Sequence, residues 1–216
     1  MEFEQARNCL LAEWGSSFEG IQAADMTDFA AGPLILASQS PRRRQLLTEA
    51  GYVFQVVPPD DHAECGICTR ESPPEMVARL AFQKAQNVAQ RTATGTVVGC
   101  DTVAFCAGQI LGKPQNVDHA QQMLRLLSGR EHDVYSGLCL WRRPGDARAV
   151  RVARTTLRMD RLSDQQISEY LATEQWQGKA GAFGYQDGWD WLHIVRGSES
   201  NVVGLPMELL REMLTP

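Results

Sequence analysis

Leu34-Ile35-Leu36-Ala37 runs directly into Ser38-Gln39-Ser40-Pro41-Arg42-Arg43-Arg44-Gln45-Leu46-Leu47. The four apolar residues read as a short buried strand. Ser40 then stands at an N-cap with Pro41 at the first helical position, and Gly51 closes the helix. A strand that turns at once into a capped helix opens an α/β unit. The junction also gathers Ser38, Ser40, Arg42 and Arg43 around a helix N-terminus, where backbone N–H groups and arginine forks attract anionic oxygen. The alternative for the same residues is a capped surface helix with solvated arginines.

The alternation of short strands and capped helices continues along the chain. Val53 to Val57 reads as a strand, and a polar loop leads to a helix in which Ser72 and Glu75 form a capping box around Pro73 and Pro74. Thr96 to Phe105 is strand-like and turns at Ala107-Gly108, and a helix over about 118–128 stops at Gly129. Segments 131–141 and 148–159 alternate like paired strands around Pro144-Gly145. Ser163 with Gln166 caps a further helix, a glycine-rich loop runs from Gly178 to Gly188, Trp189 to Val195 reads as a strand, and a last helix starts at Pro206. Residues 1–31 show neither period and are expected to be an N-terminal extension to one α/β domain over 32–216.

Of the 216 residues, 44% are hydrophobic and 22% charged, which suits one packed domain rather than a disordered chain. The apolar stretch around Phe29 to Ala37 is interrupted by Gly32 and Pro33 and is too short to span a bilayer. The N-terminus carries Glu2, Glu4 and Glu13 instead of a basic and then apolar leader, so a cytoplasmic protein is expected. The net charge is −5, and the one tight basic cluster is Arg42-Arg43-Arg44. An acidic chain with a single basic knot suits a small anionic ligand rather than nucleic acid. Six cysteines (9, 65, 68, 100, 106 and 139) in a chain of this length read as thiols, not a disulfide framework.

Four features bear chemistry. Asp101 lies inside the otherwise apolar run Val97-Val98-Gly99-Cys100-Asp101-Thr102-Val103, where a carboxylate needs a cation or metal beside it. Lys84 lies four residues from both Leu80 and Val88, on the face that points to a core or cleft, although its stem also allows it to snorkel to water. Lys113 follows Gly112 in a tight turn. Gln186 ends the loop Gly178-Lys179-Ala180-Gly181-Ala182-Phe183-Gly184-Tyr185-Gln186, with an amide that can both donate to and accept from a base edge.

Three other patterns fail on their own mechanics. Gly108-Gln109-Ile110-Leu111-Gly112-Lys113-Pro114 is one residue too short for a Walker A loop and has Pro114 where Ser or Thr must reach the metal. His62-Ala63-Glu64 abuts Cys65-Gly66-Ile67-Cys68, whereas a zinc deaminase places these ligands on separated elements. The cysteine pair also sits in a polar loop, not at the start of a clear helix, which argues against a redox site. No Gly-x-Ser-x-Gly elbow supports a serine hydrolase.

In this order, 34–47, ARLAFQKA (78–85), VVGCDTV (97–103), LGKP (111–114), MLRLLSGREHDVYSG (123–137), KAGAFGYQ (179–186) and NVVGLP (201–206) resemble the Maf family of nucleoside triphosphate pyrophosphatases. The resemblance covers about 33–214 and implies an elongated Maf/ITPase-like α/β fold, with a mixed twisted sheet, flanking helices and a cleft between two lobes, often dimeric. It also implies cleavage of a nucleoside triphosphate to monophosphate and pyrophosphate with a divalent cation, Mg²⁺ or Mn²⁺. Carried over by motif, Asp101 is the proton acceptor and Arg42, Arg43, Lys84 and Lys113 bind the triphosphate, with Ser38 and Ser40 shaping the first loop. Glu64 joins Asp101 at the metal, with Asp60 or Asp61 as alternatives. Arg42, Thr102 and Gln186 match the branch that prefers dTTP and UTP, whereas the 7-methyl-GTP branch has Trp, Gln and Glu there. The chain departs from the pattern at Cys100, at Phe183 and at Asp187-Gly188-Trp189-Asp190-Trp191. A non-catalytic nucleotide sensor of cell division would use the same cleft, but a pure anion binder gains nothing from Asp101 and Glu64.

Overall fold

A computed structural model describes residues 29–63 and 71–215. In chain order the elements are β1 (Leu34–Ala37), α1 (Pro41–Glu49), β2 (Phe54–Val56), α2 (Pro73–Ala89), β3 (Gly95–Cys106), β4 (Gln109–Leu111) and α3 (Val117–Leu127). They continue with β5 (Glu131–Arg143), β6 (Arg148–Met159), α4 (Asp164–Ala172), β7 (Leu192–Arg196), α5 (Glu199–Val203) and α6 (Met207–Leu214). Two short 3₁₀ turns, Ala180–Ala182 and Tyr185–Asp187, lie in the glycine-rich loop. The capping box at α2 forms as expected: the Glu75 carboxylate accepts from both the backbone N–H (2.8 Å) and the hydroxyl (2.6 Å) of Ser72. Ser40 occupies the N-cap of α1 without a side-chain capping bond. The strand expected from Trp189 starts only at Leu192. β4 and α5 were not expected, because three residues and a single turn carry no readable period.

The seven strands form one mixed sheet in the order β2-β1-β3-β5-β6-β7, with β4 also beside β3. β1 runs parallel to both β2 and β3, and every other pairing is antiparallel. β5 pairs with β3 from Gly95 through Phe105, so β1 and β4 must share the opposite edge. β1 takes Thr96 to Gly99 and β4 takes Ala104 to Cys106. On that edge no described strand pairs with Cys100 to Val103.

Alternation along β3 sends its side chains to two different cores. α2 covers one face, where Val97 and Val103 meet its apolar side. It lies so close that a Cβ at Gly99 would overlap the Ala81 carbonyl oxygen, and one at Gly137 that of Val77. The opposite face carries two separate apolar clusters. Val98, Cys100, Leu138 and Leu140 pack with Leu47 of α1 and Leu210 of α6. Ala104, Cys106 and Val134 pack with Leu124 of α3 and Tyr170 of α4. Between them sit the register partners Thr102 and Ser136, whose hydroxyls are 2.8 Å apart. A polar seam thus parts the two clusters on this face of the sheet.

His132 is buried in the second cluster, edge-on to the Phe183 ring with centroids 5.2 Å apart. Its Nε2 has no hydrogen-bond partner among the described residues, and burial lowers its pKa from 6.5 to about 4. The unfolded chain therefore takes up a proton that the folded state resists, and stability should fall as the pH drops from about 6.5 through about 4. Urea unfolding across this range is expected to show that acid limb, and a His132→Leu variant to show a shallower one.

Candidate active site

A cavity of about 520 Å³ opens at the unpaired edge of β3. With no strand along Cys100 to Val103, side chains from both faces of the sheet reach it: Asp101 from the side of α2, Thr102 from the other. The loop from Ser38 to Arg43, Asp60 and Asp61 after β2, Lys84, Lys113, the glycine-rich loop and Gly204 complete the walls. Ser38, Ser40, Arg42, Arg43, Lys84, Asp101, Thr102, Lys113 and Gln186 all line this one cavity. Glu64 lies outside the described residues, as do Cys65, Cys68 and residues 1–28.

Lys84 does not snorkel to water. Its Nζ lies 2.5 Å from Asp101 Oδ1, and the two side chains are only 9% and 13% exposed. The close seating of α2 on the sheet brings them together and answers the need of a carboxylate within an apolar strand for a nearby cation.

Arg43 is buried and donates in three directions: Nε to the Gly204 carbonyl (2.7 Å), Nη1 to Ser38 Oγ (3.0 Å) and Nη2 to Thr102 Oγ1 (3.4 Å). The Gly204 carbonyl also accepts from Cys100 Sγ and Thr102 Oγ1, both at 3.3 Å. One guanidinium thus ties α1, β3 and the end of α5 together. Ser38 Oγ accepts from Ser40 N–H as well (3.2 Å), which folds the first loop over the helix start. Arg42 is half-buried and donates from Nη2 to the Gly178 carbonyl (3.0 Å). Burial, and then the neighbouring Arg43, hold its pKa below the ordinary arginine value. Such a site is strained in charge and favours an anion.

Across the cleft, the Lys179 ammonium pairs with Asp187 Oδ1, and Tyr170 OH donates to Asp187 Oδ2 (2.8 Å). Burial draws the Lys179 pKa below its ordinary value. Gly184 lies against this pair, and a Cβ there would overlap the Lys179 ammonium. Lys113 and Gln186 are exposed at the mouth of the cavity. Sequence reading missed Tyr170 and did not foresee the positions of Asp187 and the Gly204 carbonyl. The one signal was the unusual acidic residue directly after Gln186.

Asp60 accepts from Arg91 Nη1 and Asn87 Nδ2, both at 3.0 Å, so its carboxylate is tied to α2. Asp61 is exposed in the cavity wall. Among the described residues no three of His, Cys, Asp and Glu gather as metal ligands. Mg²⁺ ordinarily takes one or two carboxylates and fills the rest of its shell with water and substrate phosphates. Asp101 and Asp61, both in the lining of the cavity, suit that mode better than a closed protein cage. No helix among the described residues is long and apolar enough to cross a membrane.

A cleft that gathers Arg42, Lys84, Lys113 and Lys179 about the Asp101 carboxylate at an open strand edge of an α/β sheet has the charge to suit a compact polyanion. Residues 33–216 match the family described as Maf-like protein, and the chain belongs to that family. It is 62% identical over 182 residues to a dTTP/UTP pyrophosphatase of Rhodopirellula baltica, covering 84% of this chain and 80% of that one. It is 40% identical to a dTTP/UTP pyrophosphatase of Syntrophus aciditrophicus, over 84% of this chain and 88% of the relative. A solved HAM1 protein from Coxiella burnetii aligns at a TM-score of 0.48 and 16% identity, over 85% of this chain and 98% of that one.

Arg43→Lys keeps the charge but loses the fork that reaches Gly204, Ser38 and Thr102 together. It is expected to lower the unfolding free energy by about 2 kcal/mol, as a buried carbonyl loses its charged donor. The urea midpoint measures this.

Proposed function

We propose that this chain hydrolyses nucleoside triphosphates, dTTP and UTP foremost, to the monophosphate and pyrophosphate. The observation that carries the proposal is the placement of Asp101 and Lys84 at the open edge of β3, between the arginines of the first loop and the loop bearing Gln186. The names of the relatives at 62% and 40% identity support the reaction and the pyrimidine preference. Arg42, Thr102 and Gln186 support the same preference, each lining the cavity.

In this mechanism Asp101 accepts a proton from a water attacking the α-phosphorus, and Lys84 orients the carboxylate that does so. The bond from the α-phosphorus to the bridging oxygen breaks, and pyrophosphate departs with the electron pair. Arg42, Lys113 and Lys179 offset the negative charge that grows on it. Asp101, together with Glu64 by motif, would hold Mg²⁺ or Mn²⁺, which when bound supplies further charge neutralisation across the phosphates. The substrate pool would be the free nucleotides of the cytoplasm.

Product analysis with dTTP, UTP, 7-methyl-GTP and ITP in Mg²⁺ or Mn²⁺ tests the proposal. Pyrophosphate and monophosphate from dTTP and UTP are expected, and chelation by EDTA should abolish them until the metal is restored. Products from 7-methyl-GTP alone would overturn the pyrimidine preference, and orthophosphate or no product would overturn the reaction. Asp101→Asn is expected to lower kcat by about a thousandfold or more while nucleotide binding persists, a loss in the range of positioned general bases.

A further inference from the structure

Gln186, which the proposed pyrimidine preference assigns to the base, stands exposed on a short 3₁₀ turn within a loop of glycines. A side chain that discriminates one base from another must be held to within about 0.5 Å. Ala182 and Phe183 seat the middle of the loop in the second cluster, but Gln186 lies further on, between Gly184 and Gly188, where glycine backbone alone does not supply that precision. Something else has to hold this end of the loop.

Asp187 follows Gln186 directly, and both of its carboxylate oxygens are engaged. Oδ1 takes the ammonium of Lys179, eight residues back at the start of the loop, and Oδ2 takes the hydroxyl of Tyr170 at 2.8 Å. Tyr170 is fully buried in α4, its ring edge-on to Trp189 and Trp191 with centroids 5.6 and 5.5 Å away. Lys179 and Asp187 side chains are themselves only 13% and 9% exposed. With Ala182 and Phe183 seating the middle of the loop, the ion pair closes its two ends on each other, and the Tyr170 hydroxyl ties the Asp187 end to the core. Arg42 holds the same loop from the other side through the Gly178 carbonyl.

We propose that Asp187 is a positioning residue for base selection: by locking Lys179 and Tyr170 together it fixes Gln186 against the cleft. It touches no reacting atom in this role. The inference rests on the proposed nucleotide-binding function and adds a residue that the family motifs do not assign, since Asp187 belongs to the stretch where this chain departs from the pattern.

The test is equilibrium binding, which does not depend on turnover. Titration calorimetry with the α,β-non-hydrolysable analogues of dTTP and dGTP gives the ratio of their dissociation constants for the wild type, Asp187→Asn and Tyr170→Phe. Asp187→Asn is expected to narrow the ratio about tenfold, because any change in phosphate affinity through Lys179 falls on both analogues alike and cancels in it. A folded Asp187→Asn protein with an unaltered ratio would overturn the proposal. If that variant does not fold, Tyr170→Phe, which removes only the hydroxyl, decides by the same ratio: narrowing supports the proposal and no change overturns it. Failure of the wild type to hydrolyse dTTP in product analysis would instead count against the proposed reaction, and the binding ratio would still judge Asp187.

Discussion

β3 has one edge fully occupied by β5 and the other divided between β1 and β4, and the interval between those two partners governs the molecule. A strand edge left open inside a sheet is ordinarily a liability, with backbone groups unpaired and side chains of both faces accessible. Here that accessibility is what the site is made from. Consecutive residues of a strand point to opposite faces and would normally serve different cores. At an open edge Asp101 and Thr102 instead meet one cavity, each backed by a different layer of helices.

The electrostatics follow from that placement. A carboxylate entering from the α2 side meets Lys84, and a threonine entering from the other side meets the Arg43 guanidinium and the Gly204 carbonyl. The cations of the cleft then divide into two kinds. Lys84 and Arg43 are buried and bonded to the protein, so they shape the site as much as they charge it. Lys113 stands exposed at the mouth, available to an incoming anion. Such a division allows a strongly charged ligand to be attracted without the site collapsing in its absence.

Much of this was legible in the residues. Ser72 with Glu75 and Ser163 with Gln166 announce their helices because the caps are local chemistry. The long antiparallel pair of β5 and β6 shows through alternation and the turn at Pro144-Gly145. Lys84 was ambiguous because helical spacing tells which face a side chain occupies and nothing about what lies opposite. Its partner Asp101 is seventeen residues on, brought near only when α2 lies across the sheet. The latch of Tyr170, Lys179 and Asp187 was invisible for a related reason. It depends on Gly184 admitting two side chains to its α-carbon, and no periodicity encodes such an approach.

The seating of α2 on Gly99 and Gly137 has a mechanical corollary. At these two glycines helix backbone meets sheet backbone directly, while around them side chains such as Val97, Val103 and Phe82 fill the layer at core packing density. The wall that carries Lys84 and Asp101 is therefore set at the distance that two backbone contacts allow. On the opposite side the glycine-rich loop is anchored by Ala182 and Phe183 in the second cluster and by polar bonds to Arg42 and Tyr170. The cleft thus has walls held by different means, Lys84 and Asp101 on one set by backbone contact and Gln186 on one set by core side chains and polar bonds.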